Sequence, residues 1–341
     1  MKGRLIILDH IGDREAAALM VDGRLEDLLI DTDAPRPGTI YRAVARRPVK
    51  GQGGLFLDTP DGSAFLRQVR GIAPGQSMLV QVTGYAEPGK ALPVTQKLLF
   101  KSRFAIVTPE APGINISRAI RNDEDRIRIR AAAEATPAEE TGYGLILRSA
   151  CQSGSDDEII DDITAMLDLA DAVLADADGA AETLTDGDGP HLMAWRDWSE
   201  PATVETEPGG FNRHGVTDDI DTLKRPRAPL PGGASLYIEP TRALVAVDVN
   251  TGSDTSLAAG LKANIATARD LPRQLRLRGL GGQITLDLAP MAKKDRRGFE
   301  TALRAAFKTD TEDTVLAGWT PLGHYELQRK RGRLALAEAL Q

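Results

Sequence analysis

The sequence predicts an α/β protein of several subdomains with an all-β module near its N-terminus. Three observations carry that prediction. Two short apolar runs, 243–250 and 283–290, bracket a longer segment with helical spacing, the pattern of a strand, a crossover helix and a second, parallel strand. Five strand-like pieces (TIYRAVARRPV, GGLFLD, SAFLRQ, SMLVQVTGY, LPVTQKLLF) crowd into residues 35–102 between Gly, Pro and Asp breaks, as in a small barrel. Charge is also segregated: residues 35–103 hold 11 Lys/Arg against 3 Asp/Glu, residues 241–341 hold 16 against 11, and residues 151–220 hold 2 against 18.

That segregation changes the meaning of the formal net charge of −7. Two basic modules and one acidic module form the electrostatic footprint of a polyanion binder whose acid is kept elsewhere. The 341 residues leave room for two or more domains, and no run of 18 apolar residues interrupts a chain that is 42% hydrophobic, so a soluble protein without a membrane span is expected. The opening MKGRLIILDHIGDRE turns acidic too soon for a signal peptide, which makes the cytoplasm the expected compartment. A single cysteine, Cys151, excludes an internal disulfide and a Cys-based zinc cage within one chain.

In chain order, residues 1–34 read as two or three strands (RLIILD, AAALMVDG, LEDLLID), followed by the barrel pieces. Residues 103–150 read as a strand, a Gly-rich turn, a helix of mixed charge, and the strand GLILRS. Residues 155–184 read as an acidic amphipathic helix with Ile159, Ile160, Ile163, Leu167 and Leu169 as its apolar stripe. A loop-rich stretch follows, in which Trp195 and Trp198 are expected to pack inward, and His191 and His214 lack a partner at ligand spacing. The KRPR cluster at 224–227 reads equally as a phosphate contact or a solvated loop.

The apolar runs at 243–250 and 283–290 suit strands buried on both faces. Asp248 and Asn250 are two apart and share a face of the first strand, and Asp287 lies five residues into the second. Ligands of open α/β sheets sit at the C-terminal strand ends, and two carboxylates with an amide there suit a hard divalent cation such as Mg²⁺. The competing reading is that each Asp caps the loop or helix that follows it. Pro272 should kink or restart the crossover helix. Arg269, Arg273 and Arg276 lie at helical spacing, and Lys293, Lys294, Arg296 and Arg297 follow the second acidic strand, so both sets are candidates to flank a phosphate backbone.

These stretches resemble a known family. LPGGASLYIEPTRALVAVDVNTG (230–252), RQLRLRGLGG, the strand with Asp287, and GHYELQRKR (323–331) are similar to the catalytic subdomain of the RNase E/G endoribonucleases. The last stretch follows the family's closing Gly-Leu-x-Glu-x-x-Arg-x-Arg. The resemblance implies five parts: N-terminal strands of a reduced RNase H-like subdomain (1–34), an S1 or OB-fold RNA-binding domain (35–102), a 5′-sensor-like subdomain (103–170), a reduced RNase H-like region (171–229) and a DNase I-like α/β catalytic subdomain (230–341).

It also implies the site. Asp248 and Asp287 would hold Mg²⁺, or Mn²⁺ in its place, with Asn250 supporting them. Phe56, Phe65 and Lys90 would contact RNA from the S1 module, although the two Phe read without the resemblance are barrel core. Arg118 would contact RNA elsewhere, and the helical spacing of Arg273 makes it a further candidate RNA contact. Arg148 and Ser149, the latter in place of the family's Thr, would bind a 5′-monophosphate; the alternative for Arg148 is an ion pair at a strand end. The implied activity is metal-dependent cleavage of single-stranded RNA to 5′-phosphate and 3′-hydroxyl ends. The implied alternatives are an RNA-binding relative that no longer cuts and a metal-dependent DNase or phosphatase. Two departures bear on that choice: Ala266 stands where the pattern has an acid, and Pro272 interrupts the helix. The family's Cys-Pro-x-Cys zinc link has no counterpart, so no zinc is expected, and the chain should be a monomer or a dimer not joined by zinc.

Overall fold

The protein is described here by a computed structural model that covers residues 2–47, 53–69, 71–87 and 89–341; the last residues of the first barrel piece (39–49) lie outside the described residues. Two compact units result, one from residues 1–31 and 202–341, the other from residues 32–201.

The strand-rich N-terminal segment folds into an antiparallel meander of β1 (Arg4–Ile11), β2 (Arg14–Val21) and β3 (Arg24–Ile30). The β2–β3 turn is Asp22-Gly23, with φ of 50° and 78°; a two-residue hairpin matches strand twist when both central residues have positive φ, which Asp and Gly tolerate.

The second unit opens with β4 (Ile40–Ala45), β5 (Gly54–Thr59), β6 (Gly62–Arg67), β7 (Ser77–Val82) and β8 (Leu92–Thr95), close to the five expected pieces. β4 pairs with both β5 and β7, so the order β4-β5-β6-β8-β7 closes into an OB-like five-stranded barrel. Leu55, Leu57, Ala64, Leu66 and Val80 point inward. Next come β9 (Phe100–Lys101), β10 (Ala105–Thr108), β11 (Gly113–Ile116), α1 (Asp123–Glu134), α2 (Ala138–Thr141) and β12 (Gly144–Leu147). These strands form a sheet of order β11-β12-β10-β9, with β11 and β12 parallel.

The acidic helix is shorter than its charge pattern suggested. α3 spans Asp156–Ala175 and starts with a reciprocal capping box between Ser155 and Glu158. Its buried stripe is Ile159, Ile163, Leu167, Ala170 and Val173, whereas Leu169 is exposed, because positions four apart share a face and 169 lies off the 159–163–167–170 line. Beyond α3 the chain forms β13 (Glu182–Thr185), which pairs with β4, and α4 (Pro190–Asp197). The buried Arg42 joins these pieces by pairing with Asp176 and Glu182 and donating to Ala180 O at 2.7 Å. Residues 171–229, expected as one region, are therefore divided: 171–201 belong to the second unit and 202–229 to the first. Trp198 is buried as expected, but Trp195 is half exposed, its ring covered by Arg103 at 5.0 Å.

Back in the first unit, β14 (Thr203–Glu205) pairs parallel with β1 and completes the sheet β14-β1-β2-β3. After α5 (Gly210–Arg213) and α6 (Val216–Leu223) come β15 (Arg227–Pro229), β16 (Ser235–Pro240), β17 (Val245–Asn250), α7 (Leu257–Leu277), β18 (Gly282–Asp287), α8 (Arg296–Lys308), β19 (Thr314–Trp319), β20 (Tyr325–Arg329) and α9 (Leu336–Ala339). The resulting sheet has the order β15-β16-β17-β18-β20-β19. As expected, β17 and β18 are parallel neighbours linked by α7.

Two expectations fail in this sheet. The strands are not buried on both faces: Val245, Val247, Val249, Ile284 and Leu286 are buried, while Asp248, Asn250, Gln283 and Asp287 between them are exposed. One face packs with α7 and α8 over a core that includes Phe299, Leu303 and Phe307, and the other is open. Nor does Pro272 restart the crossover helix, which is continuous over 21 residues with Pro272 buried inside it. Pro removes one backbone donor, and packing of that turn keeps it helical; Leu271 and Leu275 on either side are fully buried.

Candidate active site and nucleic-acid interface

The open face of the second sheet is where the chemistry gathers. In parallel strands, residues directly opposite one another point to the same face, and the register sets Asp248 opposite Asp287. Adjacent strands are about 4.8 Å apart, so the two carboxylates stand side by side at the C-terminal ends of β17 and β18. On the outer side of Asp248 the partner is Tyr237 of β16. On the outer side of Asp287 lies His324, with Nδ1 3.4 Å from Asp287 Oδ1. One row below, Thr285 pairs with Glu326, which adds a carboxylate to the same face.

The motif residues around the pair are held by backbone geometry. Asn250 accepts a hydrogen bond from Gly252 N at 2.8 Å, a local turn made by its own side chain. Gly252 has φ 74° and packs so close to the Gly232-Gly233 turn that a Cβ would lie 2.7 Å from Gly233 O. The PGG and DVNTG stretches are thus two halves of one contact. Ser256 caps α7 by accepting from Ala259 N at 3.2 Å. Inside α7, the fully buried Asn264 donates to Ala289 O at 2.8 Å and accepts from Ala289 N at 3.0 Å. That pair ties the helix to the loop leaving Asp287. Ala266 packs against the helix-side core, so the acid lost at this position lies behind the sheet, not among the open-face carboxylates.

The donor set fits a hard divalent ion. Two exposed carboxylates share a face with an amide near them, and among the described residues no Lys or Arg forms an ion pair with either. No group of three or more His, Cys, Asp or Glu side chains at metal-holding spacing occurs among the described residues. Two carboxylates with the remaining positions filled by water and substrate oxygens is how Mg²⁺ is commonly bound. His324 and Asn264 were missed by sequence reasoning. His324 had a signal: it directly precedes β20, two residues before Glu326, so an extended backbone turns both to one face, in a position where the family pattern has Leu.

Other cations expected at this rim have different fates. Lys293, Lys294 and Arg297 are exposed just past β18, and Arg296 stacks on Trp319 with its guanidinium 4.1 Å from the ring centroid. Arg273 is not at the rim. It donates to Leu25 O at 2.7 Å and pairs with Asp270 at 2.8 Å, near the C-terminal end of α7. Arg276 pairs with Asp310 at 2.5 Å. Both therefore already engage protein acceptors.

In the other unit, Phe56 and Phe65 are opposite each other on β5 and β6, on the outside of the barrel. Their ring centroids are 5.0 Å apart, tilted by 53°. The core reading of these Phe is thereby excluded, since their neighbours Leu55, Leu57, Ala64 and Leu66 fill the interior. Gly54 makes the room: a Cβ there would lie 2.6 Å from the Phe65 ring. Phe56 and Lys90 line one open cavity of about 450 Å³, and Lys90 pairs with Glu87 at 2.8 Å.

Arg118 and Ser149 are exposed just beyond the ends of the parallel strands β11 and β12. Arg148 donates to Ser102 O at 2.6 Å and to Asp197 Oδ1 at 2.6 Å. Burial would raise the Asp197 carboxyl, but Arg196 and Arg148 outweigh it and hold the group below the usual carboxylate range. The ion-pair alternative for Arg148 is therefore present, and any phosphate there must compete with Asp197.

Comparison with known proteins finds relatives across most of the chain. The Ribonuclease E/G family profile matches residues 100–205 and 202–332. Ribonuclease E of Synechocystis sp. is 28% identical over 93% of this chain and 55% of its own length. Ribonuclease E of Nostoc sp. is 26% identical over 97% of this chain and 56% of its own. Ribonuclease G of Salmonella typhimurium is 25% identical over 98% of this chain and 81% of its own. The chain thus spans a little over half the length of the two ribonuclease E relatives. With a profile match across most of its length, the chain belongs to the ribonuclease E/G family.

Proposed function

We propose that this protein is a divalent-metal-dependent endoribonuclease that cleaves single-stranded RNA, in RNA processing or decay in the cytoplasm. The observation that carries the reading is the direct pairing of Asp248 with Asp287 on an open sheet face. These two carboxylates would hold Mg²⁺, or Mn²⁺ in its place. Such an ion supplies Lewis-acid charge at the scissile phosphate and lowers the pKa of the attacking water.

The chain's own residues do the rest. Asn250 fixes the turn after β17 and keeps Asp248 at its end of the strand. Asn264 holds the loop that leaves Asp287. Exposed Lys293, Lys294 and Arg297 meet the phosphate backbone at the rim. The barrel acts as an S1-type RNA clamp, in which bases stack on Phe56 and Phe65 and Lys90 meets a phosphate. Arg118, Arg148 and Ser149 favour RNA with a 5′-monophosphate. The remaining parts correspond to reduced RNase H-like and DNase I-like subdomains. Products carry 5′-phosphate and 3′-hydroxyl ends. No helix among the described residues is long and apolar enough to cross a membrane.

The test is gel analysis of a 5′-monophosphorylated, A/U-rich single-stranded RNA with Mg²⁺, beside EDTA, the Asp287→Asn variant, and DNA of the same sequence. Cleavage that needs the metal, Asp287 and ribose supports the proposal. Binding without cleavage, equal in wild type and variant, would replace it with an RNA-binding protein that does not cut. Products ending in 2′,3′-cyclic phosphate would exclude the mechanism.

A further inference from the structure

We propose that a second, arginine-lined pocket in the unit formed by residues 1–31 and 202–341 binds a phosphate group. It has a volume of about 260 Å³ and lies between the β2–β3 turn, α6, β15 and the C-terminal part of α7. Its lining includes the guanidinium-bearing Arg24, Arg227, Arg273 and Arg278, with Thr222 and the single carboxylate Asp219. A bulk water takes about 30 Å³, so the pocket has room for a polyatomic anion. It is separate from the carboxylate pair: α7 returns the chain to the start of β18 at Gly282, whereas Asp287 ends that strand five residues later, about 16 Å away.

Arg278 is set apart from the other buried arginines of the unit by its partners. Arg329 and Arg276 have Asp310, and Arg333 has Asp27. Here Arg24 and Arg273 share one carboxylate, Asp270. Arg278 is 5% exposed yet forms no ion pair among the described residues. Among the described residues it donates to Gln274 and, at 3.2 Å, to Arg225 O. Burial and, to a smaller extent, Arg273 pull the Arg278 pKa down to about 10 against the opposing charge of Asp270, still charged at neutral pH. Arg227 is exposed at the mouth with no partner among the described residues. Arg24, Arg227, Arg273 and Arg278 stand against Asp219, Asp270 and the neighbouring Glu26, an excess of one guanidinium. A buried cation with no carboxylate in contact is unfavourable, and the planar donor forks with the Thr222 hydroxyl match the oxygens of a phosphate. This also gives the KRPR stretch a place: Arg225 supplies the carbonyl that orients Arg278, and Arg227 closes the rim.

The inference does not depend on the nuclease reading, and its test separates the two. Isothermal titration of the full chain would use inorganic phosphate, adenosine monophosphate and a non-cleavable 2′-O-methyl RNA lacking terminal phosphates, at constant ionic strength against chloride. The expected result is saturable phosphate binding that weakens at least tenfold in Arg227→Ala and in Arg278→Met. All three titrations are run in an Arg148→Ala background, so that the proposed 5′-phosphate contact does not enter, and within it the binding should be unchanged in Arg130→Ala, an exposed arginine of the other unit. Arg227 is exposed, so if Arg278→Met fails to fold, Arg227→Ala decides alone. Displacement of phosphate by the RNA would assign the site to the RNA backbone. Binding of phosphate or the mononucleotide without displacement by RNA would assign it to a free phosphate ligand. Absence of saturable binding, or equal binding in wild type and Arg227→Ala, would overturn the proposal.

Discussion

Replacing Asp287 with Asn keeps the side-chain shape and removes one of the two charges proposed to hold the metal. A ligand that binds only the folded state stabilises it by RT ln(1 + [L]/Kd), about 2.7 kcal/mol at a concentration of 100 Kd. The unit carrying both carboxylates comprises residues 1–31 and 202–341. In a domain of 150–250 residues each kcal/mol moves Tm by about 2–4 °C. Saturating Mg²⁺ or Mn²⁺ should therefore raise the wild-type Tm by about 5–11 °C. Losing a direct ligand should weaken binding by at least the roughly hundredfold seen when an outer-shell partner is removed. The same metal concentration then equals about one Kd, and the stabilisation falls to about 0.4 kcal/mol, a shift of about 1–2 °C. The assay is thermal unfolding of both proteins with metal and with EDTA, which needs no RNA and no turnover. Metal-induced shifts of equal size in wild type and variant would refute the assignment of Asp287 as a ligand.

Three further outcomes are expected. Phe56→Ala and Phe65→Ala should each weaken single-stranded RNA binding by about 1–3 kcal/mol, roughly 5–150-fold in Kd, with little change in Tm because both rings lie outside the barrel core; fluorescence anisotropy measures the first and thermal unfolding the second. Asp310→Ala should destabilise by about 3–5 kcal/mol, since it leaves the buried Arg329 without its carboxylate, and the double variant Asp310→Ala/Arg329→Met should recover part of the loss in urea unfolding. Asp27 governs part of the acid limb of stability. Burial would raise its carboxyl, but Arg333 and Arg276 outweigh burial and hold it below 3.8. Its contribution is then full at neutral pH, above the unfolded-state value, and is lost as pH falls below about 4. Arg333→Met should lower stability at pH 7 and flatten the fall between pH 5 and pH 2, read from urea midpoints across that range.

Much of the fold was legible because local rules decide it. The five barrel strands, the β1–β3 meander and the β17–α7–β18 unit follow from short apolar runs and the Gly, Pro and Asp breaks between them, and the structure departs from those spans by only a few residues. The parallel relation of β17 and β18 was readable from the length of the segment between them. One signal was underread: Asp248 and Asn250 in β17, like Gln283, Thr285 and Asp287 in β18, already alternate with apolar residues, which marks a sheet with one open face. The motif stretches were enough to suggest the family, although not how their residues meet.

The sequence by itself determined the order of elements, the pairing of an acid with each of two parallel strands, and the segregation of charge. Only the tertiary structure decided which side chains meet. It placed His324 beside Asp287 and Glu326 one row below, since strand register spans distant parts of the chain. It turned Phe56 and Phe65 outward, because a closed barrel has one inside and the alternate residues had already filled it. It drew Arg148 to Asp197, and Arg273 to Asp270 and away from the open face. Local spacing fixes which face of its own element a residue occupies. The partner on that face is set by long-range packing, which no short window of sequence encodes.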